Sequence, residues 1–276
     1  MHLPKPALRL PLALLALVGL AALAGPWLWG VDPDRVFGPP LLVSAPPSWM
    51  HPLGTDESSR DVLARLFAGA RISLAFGLLA ADVTAGLGTA AGLIGALGGP
   101  VADRVTRSVI DVGLAVPRLL LLIVLTAALG HLPWGWLALA MGASGWFGVA
   151  RIVRARAREL ARAEFALATR SLGAGTVRLA MRHVLPNVAG TITAATVLAF
   201  GHAVALEAAL SFIGQGVPIP TASWGGLIND GRAQLAQSPW LALAPAIALV
   251  TTVLAIGALA DAMERNADAG HAARVA

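Results

Sequence analysis

Hydrophobic positions in this chain gather into long unbroken runs, not into the alternation of a half-buried strand or the three-and-four spacing of a helix on a soluble core. Residues 10–29 carry no charge, follow Lys5 and Arg9, and close on Trp27 and Trp29. A bilayer core about 30 Å thick calls for roughly 20 such residues in a helix, with basic and aromatic side chains at its ends. This run is the first predicted span. Ala22-Leu23-Ala24 imitates a signal-cleavage site, but the run continues to Trp29 and Pro26 follows the supposed cut, so a retained helix is expected.

Five more runs, at 72–97, 112–129, 134–150, 188–214 and 240–260, bring the expectation to about six transmembrane helices in an all-α integral membrane protein. Residues 30–70 break the pattern, with prolines at 33, 39, 40, 46, 47 and 52 among acids and arginines. That composition predicts a polar segment outside the bilayer. The expected organisation is an N-terminal helix at 1–30, an outer segment at 31–70, a five-helix core at 71–262 and a tail at 263–276. The core includes a polar stretch at 151–187.

Composition sharpens this reading. The chain is 57% hydrophobic and 13% charged, with mean hydropathy +0.74, so its apolar surplus must face lipid. The absence of cysteine removes disulfides and thiolate chemistry. The net charge of +5 is informative only by place. Counted by alternate loops, 14 basic residues fall on one side (Lys5, Arg9, Arg104, Arg107, eight arginines from Arg151 to Arg182, Arg265, Arg274) and five on the other (Arg35, Arg60, Arg65, Arg71, Arg232). The excess of positive charge in cytoplasmic loops then predicts that both termini and the 151–187 stretch are cytoplasmic, and nucleic acid is not an expected partner.

Residues 151–187 hold eight arginines against two glutamates. Charge alone suits a topogenic loop against anionic lipid. The stretch also predicts a helix over 163–179 broken around Gly173-Ala174-Gly175, then a short helix ending at Leu185-Pro186. Two short helices with a glycine hinge make a docking knob that could pass rigid-body motion to the spans.

Within that stretch Glu164-Phe165-Ala166-Leu167-Ala168-Thr169-Arg170-Ser171-Leu172-Gly173-Ala174, followed by Arg182-His183-Val184-Leu185-Pro186-Asn187, resembles the cytoplasmic EAA loop of ABC importer permeases. Leu167 stands in place of the family's Glu, and Thr169 in place of its second Ala. His51-Pro52-Leu53-Gly54-Thr55-Asp56, Arg60-Asp61-Val62-Leu63, Arg65-Leu66 and Gly69-Ala70-Arg71 resemble the approach to the second span in the dipeptide/oligopeptide/nickel branch, with Ser59 where Gly is usual. Asp111 to Pro117, Glu207 to Gly214, Ser223-Trp224-Gly225 and Ser238-Pro239-Trp240 extend the likeness, which covers about 51–268. The long segment before the second span resembles the C-type subunit.

The resemblance implies a homologous B-type permease partner, two cytoplasmic ATPase subunits, an extracytoplasmic solute-binding protein and a place in the bacterial inner membrane. ATP with Mg would sit on the ATPase subunits, with no cofactor bound directly to this chain. Peptide is the implied cargo, with nickel chelate and glutathione as relatives of it. Glu164, Phe165, Ala168, Arg170, Gly173, Leu185 and Pro186 would form the ATPase-coupling loop. An ion-gradient-driven transporter or channel, and a membrane-embedded enzyme, are the rival classes. The first would need coupling carboxylates at mid-membrane and often an internal repeat.

Glu207 and Asp82 are the carboxylates that fall inside predicted spans. Glu207 is a candidate translocation-path or interface group, or else a helix-end residue at the outer boundary. Asp82 sits among Thr and Gly neighbours, which favours a helix-packing role over a path role. Asp111 is expected to pair with Arg107 four residues earlier. Trp134, Trp136, Trp224 and Trp240 are expected in an aromatic belt. His183 and His202 lack a third ligand at a metal-binding spacing, no G-x-x-x-x-G-K-[ST] loop occurs, and no catalytic set is evident.

Overall fold

The computed structural model describes residues 6–37, 44–130 and 132–275, with backbone alone at 6–7 and 266–275. Lys5, Pro39 and Pro40 lie outside them, as does the side chain of Arg274. The described chain is helical, and its two β-bridges, Val36 with Arg60 and Thr55 with Asp61, are isolated. The spans are α1 (Pro6–Trp29), α2 (Val62–Leu97), the pair α5 (Trp134–Ala143) and α6 (Trp146–Leu160), α9 (Leu185–Phe212) and α11 (Trp240–Val275). Five stretches are long and apolar enough to cross a membrane.

The remaining apolar run is broken. The run at 112–129 is not one helix, because α3 (Gly99–Ala115) and α4 (Arg118–Leu129) meet at 78°. Pro117 is the reason: it lacks an N–H and forces its predecessor out of the helical region, and Val116 is extended at φ −81, ψ 124. Arg118 turns inward and donates to the Met141 carbonyl and the Ser144 hydroxyl.

α2 is the central post against which α5, α6 and α9 pack. Its glycines permit the contact. A Cβ on Gly88 or Gly92, one turn apart, would stand 2.7 or 2.8 Å from Val149 or Val153 of α6. Without a hydrophobic effect between helices in lipid, such small-residue seams let dispersion contacts hold the bundle. The fourth run, expected to end at 150, continues as helix to Leu160. Ala150, Val153, Ala157 and Leu160 are buried along one face of α6, so the first arginines of the basic stretch ride on a rigid extension.

At the opposite end the outer segment is pinned to the start of α2, which begins at Val62, ahead of the run that hydropathy delimits. Asp61 caps it, its Oδ1 accepting from the Ala64 N–H at 2.7 Å and from Trp29 Nε1 at 3.2 Å, while His51 Nδ1 lies 2.7 Å from Oδ2. Arg65, 2% exposed, stands 3.2 Å from Asp34, 3.5 Å from Asp56 and 3.9 Å from Asp230. Burial pushes the Asp230 carboxyl up from its ordinary value, with Arg65 opposing. Removing one partner from such a buried set leaves the other charges uncompensated.

Ser59 occupies this cluster with φ +57, where a non-glycine residue is strained by about 1–2 kcal/mol. Gly at 59 relieves that strain and loses part of the gain to unfolded-chain entropy. Ser59→Gly is therefore expected to stabilise the chain by up to about 1 kcal/mol, read as a higher Tm in detergent. An unchanged or lower Tm would show that the Ser59 side chain contributes more than its backbone strain.

Candidate coupling loop and buried carboxylate

The basic stretch folds as a knob. α7 (Glu164–Ser171) ends in a closed turn: Gly173 N–H donates to the Arg170 carbonyl at 2.9 Å and Ala174 N–H to the Thr169 carbonyl at 3.2 Å. This reciprocal pair requires a left-handed residue at its centre, and Gly173 has φ +83. Gly175 then caps α8 (Thr176–Leu179). Glu164 in the first turn of α7 and Arg170 in the last match the helix dipole.

A small apolar core fixes the knob to the bundle. Ala166 and Leu179 are fully buried with Ala157 of α6 and with Val184 and Val188 at the start of α9, and Leu93 and Leu97 of α2 pack against them. The outer surface is also apolar: Leu172 is 89% exposed, Val177 76% and Met181 58%. Leu167, in place of the family's Glu, is exposed as well, and Phe165 stands over His183 at 6.4 Å.

Leu185-Pro186, expected to break the helix, does not. A π-turn over Ala180–Val184 joins α8 to α9, making a continuous helix from Thr176 to Phe212. The widened turn accommodates the ring of Pro186, and Asn187 Nδ2 donates to the His183 carbonyl at 2.7 Å. Leu185 is half-buried while Ala168 and Pro186 are exposed. The coupling-loop residues named from sequence thus fall on one compact unit continuous with a span.

The far end of α9 holds Glu207. It is fully buried, within the last two turns of the helix. Ser73 of α2 donates to its Oε2 at 3.1 Å and Ser211 to its Oε1 at 2.7 Å. Ser73 accepts from the Trp224 N–H at 3.1 Å. Ser211 accepts from the Val217 N–H at 3.1 Å and from the Ser223 hydroxyl at 3.3 Å, and Ser223 caps α10 (Trp224–Gly231) through the Gly226 N–H. Each hydroxyl has one proton, and all three protons run toward the carboxylate. Backbone N–H groups at the start of α10 are thus linked through serines to a buried carboxyl group.

Asp82, by contrast, is exposed on α2. The packing contact expected of it belongs to Thr84, which donates to the Gly142 carbonyl at 3.1 Å. Asp111 meets Arg151 of α6 at 2.7 Å rather than Arg107, which lies 4.0 Å from Asp103. Trp224 is 1% exposed and donates Nε1–H to the Leu66 carbonyl at 3.3 Å, so it is a core anchor and not part of a belt. Sequence reasoning missed the serines around Glu207. The pairing of Glu207 with Ser211 one turn later inside a span was the signal that could have found them.

The sequence profile of the family described as binding-protein-dependent transport system inner membrane component matches residues 64–269. The chain belongs to this family. It is thus a multi-pass inner-membrane subunit of an ABC transporter that works with other subunits. Among relatives, a protein of Brucella suis biovar 1 bearing the name of a peptide permease is 39% identical over 225 residues, 81% of this chain and 74% of that one. The oligopeptide transport system permease protein OppC of Bacillus subtilis is 36% identical over 230 residues, 83% and 74% of the two chains. A third, from Brucella suis and named for a peptide transport system, is 36% identical over 256 residues, 92% and 85% of the two chains. The permease component's matched region takes in the knob and both ends of α9, and leaves α1 outside.

Proposed function

We propose that this chain is one permease half of an ATP-driven peptide importer, and that the α7–α8 knob receives motion from a cytoplasmic ATPase. The observation that carries the reading is the knob's construction: an exposed apolar and arginine-rich cap, packed on its own core, continuous through a π-turn with α9. A flexible loop would dissipate displacement, whereas packed helices pass it on as rigid bodies. The names of the relatives support peptide as cargo.

In this reading both termini lie in the cytoplasm, a homologous B-type permease completes the pathway, two ATPase subunits seat on the paired knobs, and a solute-binding protein delivers peptide to the other face. Asp82 suits the same assembly. A carboxylate exposed at bilayer depth must meet protein or water, and the second permease or the path between the two supplies those surroundings.

Co-purification tests the proposal. Leu172→Asp with Val177→Asp places two unpaired charges on the cap, and is expected to lower the ATPase recovered with the complex by about tenfold or more while membrane insertion is unchanged. Full ATPase recovery with these variants, or uptake by the isolated chain under an ion gradient alone, would overturn it.

A further inference from the structure

Beside the knob, the turn between α2 and α3 and the end of α6 enclose a cavity of about 550 Å³. Arg104, Arg107, Arg158, Arg162 and Arg170 line it, with Asp103 the one acid on its wall. Asp103 is already committed, receiving Arg154 and Arg158 at 2.8 Å and lying 4.0 Å from Arg107. Arg104, Arg162 and Arg170 have no ion-pair partner among the described residues. The cavity is therefore a positive recess with spare donors.

A second cavity, about 470 Å³, adjoins it, and Ser108 lines both. Its wall is mostly apolar, formed by Val109, Val112, Val116, Leu121 and Phe147, with Ser144 and Arg118, the latter already bonded to the Met141 carbonyl, at its side. The helix between the two carries a matching division. Val101, Val105, Val109 and Val112 form an exposed stripe along α3, while Asp103, Arg104 and Arg107 face the basic recess. Such a helix can present its apolar side to acyl chains and its charged side to headgroups.

We propose that the two cavities together hold one anionic phospholipid, its phosphate against Arg104 and Arg170 and an acyl chain along the Val112–Phe147 groove. A phospholipid has the same two parts, an anionic head and an apolar chain, and basic recesses between helices at a membrane face select anionic headgroups. Guanidinium forks fit phosphate oxygens in bidentate geometry. Arg170 belongs to α7, so the bound headgroup would bridge the knob to the α2–α3 turn. The inference stands apart from the identity of the cargo.

Native mass spectrometry of the full chain in its transporter complex, released from discs of phosphatidylcholine mixed with phosphatidylglycerol, tests this. One phosphatidylglycerol is expected to remain bound. Arg104→Gln with Arg170→Gln should reduce its retention by about tenfold, and Val112→Trp, which fills the groove and leaves every arginine in place, should do likewise. Arg178→Gln with Arg182→Gln, outside the cavity, should retain the lipid. Each of these results would overturn the site: equal retention in the Arg104/Arg170 pair, equal retention in Val112→Trp, equal loss in the Arg178/Arg182 pair, or protection against heating by inorganic phosphate alone that matches the lipid. Lipid held by the separated chain but absent from the complex would assign the groove to the second permease and also overturn it.

Discussion

Gly173→Ala is expected to impair ATP-coupled uptake almost as much as Gly173→Val, while Gly173→Asn keeps a larger share. A Cβ at this position would meet nothing within 4 Å, so space is not at issue. The backbone is. At φ +83 an ordinary residue loses about 1–2 kcal/mol and a β-branched residue more, whereas Asn tolerates the left-handed region. The closing turn of α7 would open, and with it the angle between α7 and α8. Uptake into proteoliposomes, with insertion and helix content followed in parallel, reads the series; a reduction of about tenfold for Ala corresponds to the strain. Normal uptake in Gly173→Ala with none in Gly173→Val would sink the backbone account and point to a surface pressed against Gly173 in the assembled transporter.

A comparable loss is expected at the other end of α9. Glu207→Leu leaves the Ser73 and Ser211 hydroxyls buried with no acceptor, at about 1–3 kcal/mol each, and frees the first turn of α10 from α2 and α9. Thermal unfolding should fall markedly and uptake with it. Because Ser73 and Ser211 also accept from the Trp224 and Val217 N–H groups, Ser73→Ala and Ser211→Ala should each destabilise alone, and the loss in the triple variant should be smaller than the sum of the three single losses. Strict additivity of the three substitutions would show that the serines and the carboxylate do not act as one network. Glu207→Gln is expected to fall between wild type and Leu, since its amide turns a donor toward a hydroxyl that already accepts from a backbone N–H.

The spans were legible because an uncharged run of bilayer length has almost no stable place except in lipid. The hinge at Gly173 was legible because glycines without a nearby proline punctuate a helix in a known way. Proline misled twice. Pro117 splits its run into two helices at 78°, a break its chemistry allows but an uninterrupted apolar run conceals. Pro186 stays inside a helix because a π-turn widens the pitch before it, and no local pattern announces that.

The Glu207 network joins residues 151 apart in sequence at its widest, so its members look like unrelated serines until the helices are placed. Ser59 is the reverse case. A serine where the resemblance leads one to expect glycine was visible from the start, and the positive φ gives the departure a measurable energy. Asp111 found Arg151 rather than Arg107 because α3 lies along α6, which outweighs a neighbour on the same helix.

The unbroken helix from Thr176 to Phe212 is about 55 Å long at 1.5 Å per residue, further than a bilayer core is thick. One end carries the knob and the other grips the α10 cap through Glu207. Were the knob to receive the proposed stroke, an ångström delivered at Leu179 would travel to Ser211 along one rigid element, like a push on a single piston rod.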